Sequence, residues 1–302
     1  MRIGLLGTGP WAGMVHAPGL NAHPGVEFTG VWGRRPEAAK ALADAHGTRA
    51  YDDPDALFAD SDAVAIALPP AVQAPLAARA AEAGCHLLMD KPVATAVEDA
   101  RLVADAAART GVASVVFFTS RFEPAVAAWI DEQAAAGGWF TGRGEWLGAV
   151  FSEGSDSPFA TPWRREKGAL WDVGPHALSV LLPVLGDVAA VDGGAGFQVV
   201  AARGPEDTVH LILRHESGAS STLTLSLTVP PAAGGTTVEL RGVHGATSLP
   251  QGGPEALACF RRAIDALVTA AGSGTPHPCD VRFGAHVTEI LAAAEAALGE
   301  RA

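Results

Sequence analysis

Along the first 118 residues, short apolar runs alternate with stretches of helical period. Arg2–Leu6, Val26–Trp32, Asp62–Leu68, His86–Met89 and Ala113–Phe118 read as strands, several of them continuously apolar, as strands covered on both faces are. Helices are expected near Trp11–Asn21, over Pro36–His46 with proline in the first turn, and over about Ala71–Ala83 up to Gly84. A fourth is expected to run from a Thr95–Glu98 capping box to Arg109, before Gly111. This alternation implies right-handed βαβ units and a parallel sheet with helices on both faces. After Arg121 the pattern changes. A helix to about Ala136 ends at Gly137-Gly138, residues 143–151 read as a strand, and a loop rich in Ser, Pro and aromatics leads to a helix from near Gly174 to Gly186. Strands follow at about 207–214, 219–229 and 236–241, with hairpin cues at Glu216-Ser217-Gly218 and Gly234-Gly235, and then helices at about 255–271 and 281–298. The chain therefore divides near residue 120 into an α/β domain (1–120) and an α+β domain (121–302) with a mostly antiparallel sheet.

The composition, 48% hydrophobic and 18% charged over 302 residues, is that of a packed globular protein of about two domains. A net charge of −12 speaks against a nucleic-acid partner. Cys85, Cys259 and Cys279 form no CxxC and no metal-ligand spacing, which excludes a disulfide framework or a cysteine zinc site and suits a reducing cytoplasm. Behind Arg2 the chain enters an apolar strand without the marks of a secretory signal. The uncharged run Ser217–Val238, rich in Ser, Thr, Gly and Pro, reads as strands and a turn, so no membrane span is expected.

Four short segments carry chemistry. Gly7-Thr8-Gly9-Pro10-Trp11-Ala12 is a GxGxxA placed between a strand and a helix. In that context Gly7 allows the tight turn, Gly9 the approach of a pyrophosphate, and Ala12 close helix–strand packing, with the helix N-terminus facing the phosphates. At the exit of the second strand, where an NAD site carries a carboxylate, the chain reads Gly33-Arg34-Arg35. Paired guanidiniums suit a 2′-phosphate, so NADP(H) is expected over NAD(H). Lys91, in Asp90-Lys91-Pro92 at the carboxyl end of a strand, stands where a substrate oxygen could be polarised. Lysine occurs three times, at 40, 91 and 167, among 21 basic residues. Asp172 and His176, four apart, share a helix face if the helix starts by Asp172 and otherwise lie at its start. A carboxylate beside an imidazole can set its tautomer for acid–base work. No third ligand joins them at usable spacing, so no metal is expected.

Taken in order, these segments resemble the Gfo/Idh/MocA oxidoreductase family over nearly the whole chain. GLLGTGPWA resembles its cofactor turn, LPPAVQAPLAARAAEAGCHLLMDKPVA its segment ending in EKP, VVFFTSRFEPA the start of its second domain, and TPWRREKGALWDVGPHALSVLLPVLG the stretch holding its DxGxH motif. The tail Phe260–Leu298 also fits. The resemblance implies a Rossmann domain followed by a domain with a large open sheet whose face, around 207–229 and 236–249, builds a homodimer or homotetramer. It implies hydride transfer between NAD(P) and a hydroxyl or carbonyl carbon of a small sugar-like substrate. Lys91 would hold the reacting oxygen, His176 would move the proton and Asp172 would orient the pair. Leu68, Pro69, Gln73 and Asp90 would join the cofactor site, and Thr119, Trp163 and Arg164 the substrate site. The chain departs from the family pattern at Asp90 (Glu), Gln73 (His), Thr119 (Asn) and Ser179 (Asp), and Leu170, Trp171, Phe159 and Trp163 would form an apolar wall, which together imply a substrate less hydroxylated than inositol. Non-catalytic regulators and NAD-assisted glycosidases share the family and remain the alternatives.

Overall fold

Residues 1–191, 196–253 and 255–299 are described by the computed structural model of the chain, and they fall into two units. The first holds residues 1–122 and 255–288, the second 123–253 and 289–299.

In the first unit the chain runs through β1 (Arg2–Leu6), a π-helical turn (Ala12–His16) continuing into α1 (Ala17–Asn21), β2 (Glu27–Trp32), α2 (Pro36–Ala45), β3 (Arg49–Tyr51) and α3 (Pro54–Ala59). It continues through β4 (Ala63–Ile66), α4 (Pro70–Glu82), β5 (His86–Asp90), α5 (Val97–Thr110) and β6 (Ser114–Phe117). The six strands are parallel in the order β3-β2-β1-β4-β5-β6. Every residue of β4 and β6 is buried, the reason these strands are apolar without alternation. The strand order reverses between β1 and β4, which opens a crevice at their carboxyl ends.

The sheet edge at β6 is closed from the far end of the chain. α9 (Ala256–Ser273) and the start of α10 (Val281–Gly299) pack there: Val116 donates its N–H to the Cys279 carbonyl at 2.7 Å, Phe117 meets Phe260 edge-on, and Phe118 meets Phe283. A methyl group on Gly284 would lie 2.5 Å from Val93, so only glycine fits that packing.

The second unit contains α6 (Pro124–Ala136), β7 (Trp139–Leu147), α7 (Pro162–Asp172), α8 (Gly174–Leu185), β8 (Val199–Arg203), β9 (Val209–Arg214), β10 (Ser220–Ser226), β11 (Gly235–Gly242), β12 (Gly245–Ser248) and the rest of α10. Its mixed sheet has the order β12-β11-β7-β10-β9-β8; β7 and β10 pair in parallel and the other neighbours antiparallel. On β9, Val209, Leu211 and Leu213 are buried while His210, Ile212 and Arg214 are exposed. The open face also carries Thr222, Arg143, Glu145, Glu239 and Arg241, with Arg143–Glu145 and Arg241–Glu239 ion pairs at 2.6 and 2.7 Å.

The parallel and mixed sheets match the sequence pattern, and several details differ. The expected helix Trp11–Asn21 is a π-turn followed by a short α-helix. Ala96, with no side-chain bond, stands at the cap of α5, so Thr95–Glu98 is not its capping box. The expected loop beyond residue 151 contains α7, whose polar opening Arg164-Arg165-Glu166-Lys167 hides any apolar period. β3, α3, β8 and β12 are too short to show a period. β7 begins four residues early because Gly142 and Gly144 stand at inward positions, where Leu185, Leu223 and Trp146 fill the space.

By composition the stretch Pro162–Leu185 is long and apolar enough to cross a membrane; 78% of its apolar window is buried within the protein. Among the described residues no group of three His, Cys, Asp or Glu side chains could hold a metal. Burial pushes the Cys85 and Cys279 thiols up to about 11, so both stay protonated and inert.

Burial also holds the His86, His215 and His277 imidazoles below their ordinary pKa. For His215 burial outweighs the opposing hydrogen bond from Nδ1 to the Gly186 carbonyl at 2.8 Å, and Nε2 shares a 2.8 Å hydrogen bond with the Ser221 hydroxyl. The unfolded chain then binds more protons than the folded one below the unfolded histidine pKa, so stability is full above about pH 6.5 and falls as the pH drops through the folded values. Unfolding midpoints measured between about pH 7.5 and 5 should decline, and His215→Gln should flatten the decline. A midpoint independent of pH over that range contradicts this.

Candidate functional site

In the first unit the chain leaves β1 through Gly7, whose φ of +133° places it in a region L-residues avoid. Its N–H donates to the Trp32 carbonyl at 2.8 Å, and a methyl group there would sit 2.3 Å from the Ala67 carbonyl oxygen. Gly9 differs: nothing lies within 4 Å of where its Cβ would stand, so the backbone at that point is open to a ligand. Thr8 packs against Gly33, where a Cβ would come within 2.6 Å of its methyl. Ala12 is sealed inside, and Pro10 and Trp11 border the turn. Arg34 and Arg35 follow Gly33 at the exit of β2 and are both exposed. Leu68 and Pro69 lead from β4 into α4 next to Ala67, half-buried.

The same edge of the sheet carries Asp90 and Lys91 at the end of β5. Gln73 is fully buried, and its Nε2 donates to the carbonyls of Asp90, Pro92 and Val93 at 2.8, 2.9 and 3.4 Å. Its influence on a bound ligand therefore passes through the backbone it holds beside Lys91. The Asp90 carboxylate accepts from the Trp11 indole N–H at 3.3 Å, and its other oxygen lies 3.2 Å from His16 Nε2. The glycine turn and the Lys91 segment are thus joined through one carboxylate. Sequence reasoning did not single out His16. Its signal was a histidine four residues beyond Ala12 on an otherwise apolar face, packed here against Phe260 and Phe117. Thr119 starts the turn after β6 and is half-buried.

In the second unit Asp172 ends α7 and His176 lies in the first turn of α8, so the two belong to separate helices that meet at Val173. Asp172 is 7% exposed and its Oδ1 lies 2.9 Å from Arg164 Nε. Arg164 stacks over Trp163 at 4.7 Å. Ser179 is buried and its hydroxyl donates to the His176 carbonyl at 2.8 Å, which fixes the first turn of α8. Leu170 and Trp171 are core residues, with the Trp171 indole N–H bonded to Glu295 at 3.0 Å. Of the expected apolar wall, Leu170 and Trp171 are buried, while Phe159 and Trp163 keep partial exposure.

Residues 1–118 match the oxidoreductase family described as having an NAD-binding Rossmann fold, and residues 139–248 match the GFO/IDH/MocA C-terminal domain. The chain is 32% identical over 200 residues, 64% of its length, to dTDP-3,4-didehydro-2,6-dideoxy-alpha-D-glucose 3-reductase of Streptomyces violaceoruber. It is 30% identical over 227 residues, 72% of its length, to inositol 2-dehydrogenase of Rhizobium meliloti. It spans 57% of the first relative and 66% of the second, less than two thirds of either. A crystal structure of an oxidoreductase domain protein from Kribbella flavida has the same fold, with a TM-score of 0.83 and 23% identity over 99% of this chain and 97% of that one. With both domains matched along most of its length, the chain belongs to the GFO/IDH/MocA oxidoreductase family.

Proposed function

We propose that this protein is an NADP(H)-dependent oxidoreductase that moves a hydride between the nicotinamide and a hydroxyl or carbonyl carbon of a small sugar-like substrate. The observation that carries this reading is the sheet edge of the first unit. An open glycine turn suited to a pyrophosphate and a lysine held by the Gln73 staple share it, joined through Asp90. The relatives that reduce a nucleotide sugar or oxidise inositol support the sugar-like class.

The residues present fit a dinucleotide: the backbone of the Gly7–Ala12 turn, the space at Gly9, and Arg34 and Arg35 for a 2′-phosphate. When bound, the dinucleotide supplies the hydride acceptor or donor. Lys91 holds the reacting oxygen with its ammonium, and His176 takes the hydroxyl proton in oxidation or returns it in reduction. Asp172, paired with Arg164, orients these two groups. Lys91 belongs to the first unit and Asp172 and His176 to the second.

Fluorescence titration with both cofactors is the test. A charge-assisted contact from either guanidinium should favour NADP(H) over NAD(H) by about 1.5–3 kcal/mol, roughly tenfold to a hundredfold. Tighter NAD(H) binding removes the cofactor assignment. Cofactor binding without turnover of any sugar, polyol or ketose offered removes the enzymatic one in favour of a ligand-sensing regulator.

A further inference from the structure

Arg164, in the first turns of α7, has a side chain only 19% exposed. Its donors are unevenly used. Nε lies in the ion pair with Asp172, 2.9 Å from its Oδ1, without hydrogen-bond geometry, and Nη1 donates to the Phe159 carbonyl at 3.4 Å and to Thr161 Oγ1 at 3.5 Å. Trp163 and Phe159 flank the guanidinium at 4.7 and 5.8 Å. Nη2 has no hydrogen-bond partner among the described residues, and it is not one of the buried atoms left unsatisfied, so its two N–H groups face open space.

Most of the side chain is covered while the Nη2 edge stays open, so these donors are held at one fixed place rather than on a freely moving surface arm. The aromatic contacts and the ion pair with Asp172 hold the group in one orientation, so little side-chain entropy remains to be lost on binding. Asp172 balances its net charge, so what Nη2 offers is direction rather than bulk attraction: two N–H groups beside the candidate acid–base histidine's helix. Ser179 cannot compete, since its hydroxyl is engaged by the His176 carbonyl. A planar or tetrahedral oxyanion is the acceptor such a donor edge matches best.

We propose that Arg164 is the specificity-determining residue of this site, binding through Nη2 an oxyanion substituent of the substrate, a carboxylate or a phosphoryl group. The assignment of that ligand as substrate rests on the oxidoreductase reading of Asp172 and His176.

The test is calorimetric binding, with NADP⁺ present, of glucose, glucuronate and glucose 6-phosphate. One of the two acids should bind at least about tenfold more tightly than glucose, and Arg164→Gln should weaken that acid by about tenfold to a hundredfold while NADP⁺ affinity persists. Arg164→Lys should retain part of the preference, because charge survives while the fork is lost. Which acid is preferred separates a carboxylate from a phosphoryl ligand. Glucose binding as tightly as both acids in the unmodified protein, or a preference that survives Arg164→Gln, overturns the proposal. A role confined to orienting Asp172 would weaken all three ligands alike and also overturns it. Turnover of the same compounds tests the underlying reading separately. Arg164-dependent acid binding without hydride transfer leaves this assignment standing and removes the oxidoreductase; hydride transfer without acid preference does the reverse.

Discussion

Lys91→Ala is expected to keep cofactor affinity and to lose most turnover. The two proposed functions are separated along the chain: pyrophosphate binding is assigned to the Gly7–Ala12 turn, whereas Lys91 stands just after β5 between the Asp90 and Pro92 carbonyls that Gln73 holds. Removing the side chain leaves that staple and the turn untouched. His176→Ala should lower kcat by about 10²–10⁴-fold, the range for loss of one general acid–base group. Lys91→Arg should not restore activity, because a guanidinium keeps the charge but holds its proton and replaces a compact ammonium with a planar fork. Steady-state kinetics with cofactor titrations run in parallel would read both effects. Near-wild-type kcat in Lys91→Arg and His176→Ala together would remove the assigned acid–base set.

Gly7→Ala should damage both the fold and the cofactor site. The backbone there has a φ of +133°, and the added methyl group would stand 2.3 Å from the Ala67 carbonyl oxygen. That carbonyl cannot retreat easily, because the Ala67 N–H is bonded to the Leu6 carbonyl at 2.9 Å across the central strands of the sheet. Strain at such a position and the clash together should cost about 3 kcal/mol or more and reduce cofactor affinity over a hundredfold. Gly9→Ala is the informative contrast. Its Cβ meets nothing within 4 Å, so stability should hold while the methyl occupies space the pyrophosphate needs. Thermal midpoints and cofactor titrations of the two variants should therefore diverge. A Gly7→Ala protein that melts and binds as the parent does would show the turn is softer than its geometry implies.

The parallel sheet was legible because its strands are buried on both faces and stay apolar from end to end, as Ala63–Ile66 does. The second sheet was partly legible, since β9 and β10 alternate while β7 places glycines inward where a larger residue would betray a strand. α7 was hidden by its polar opening, and nothing local reveals that Glu295, far along the chain, receives the Trp171 indole N–H. In the site, the glycine turn and Lys91 could be named from local chemistry. The link through Asp90 to His16 and Trp11 depends on β5 and the first turn lying at one sheet edge, which no short window contains.

The origin of the strip that closes β6 has a consequence for how the protein is made. Residues 1–122 hold all six strands of the parallel sheet, but the packing that covers β6, from Phe260, Cys279 and Phe283, is supplied by 255–288. Most of the second unit, residues 123–253, is inserted between these two parts. During synthesis the amino-terminal strands leave the ribosome first, yet their last apolar surface stays uncovered until nearly the whole chain has emerged. A fragment ending near residue 120 would carry Phe117 and Phe118 exposed rather than sheltered, and in that state its β6 edge invites pairing with other chains. The cofactor half of this protein is thus a late product of translation, although its defining turn is among the first residues made.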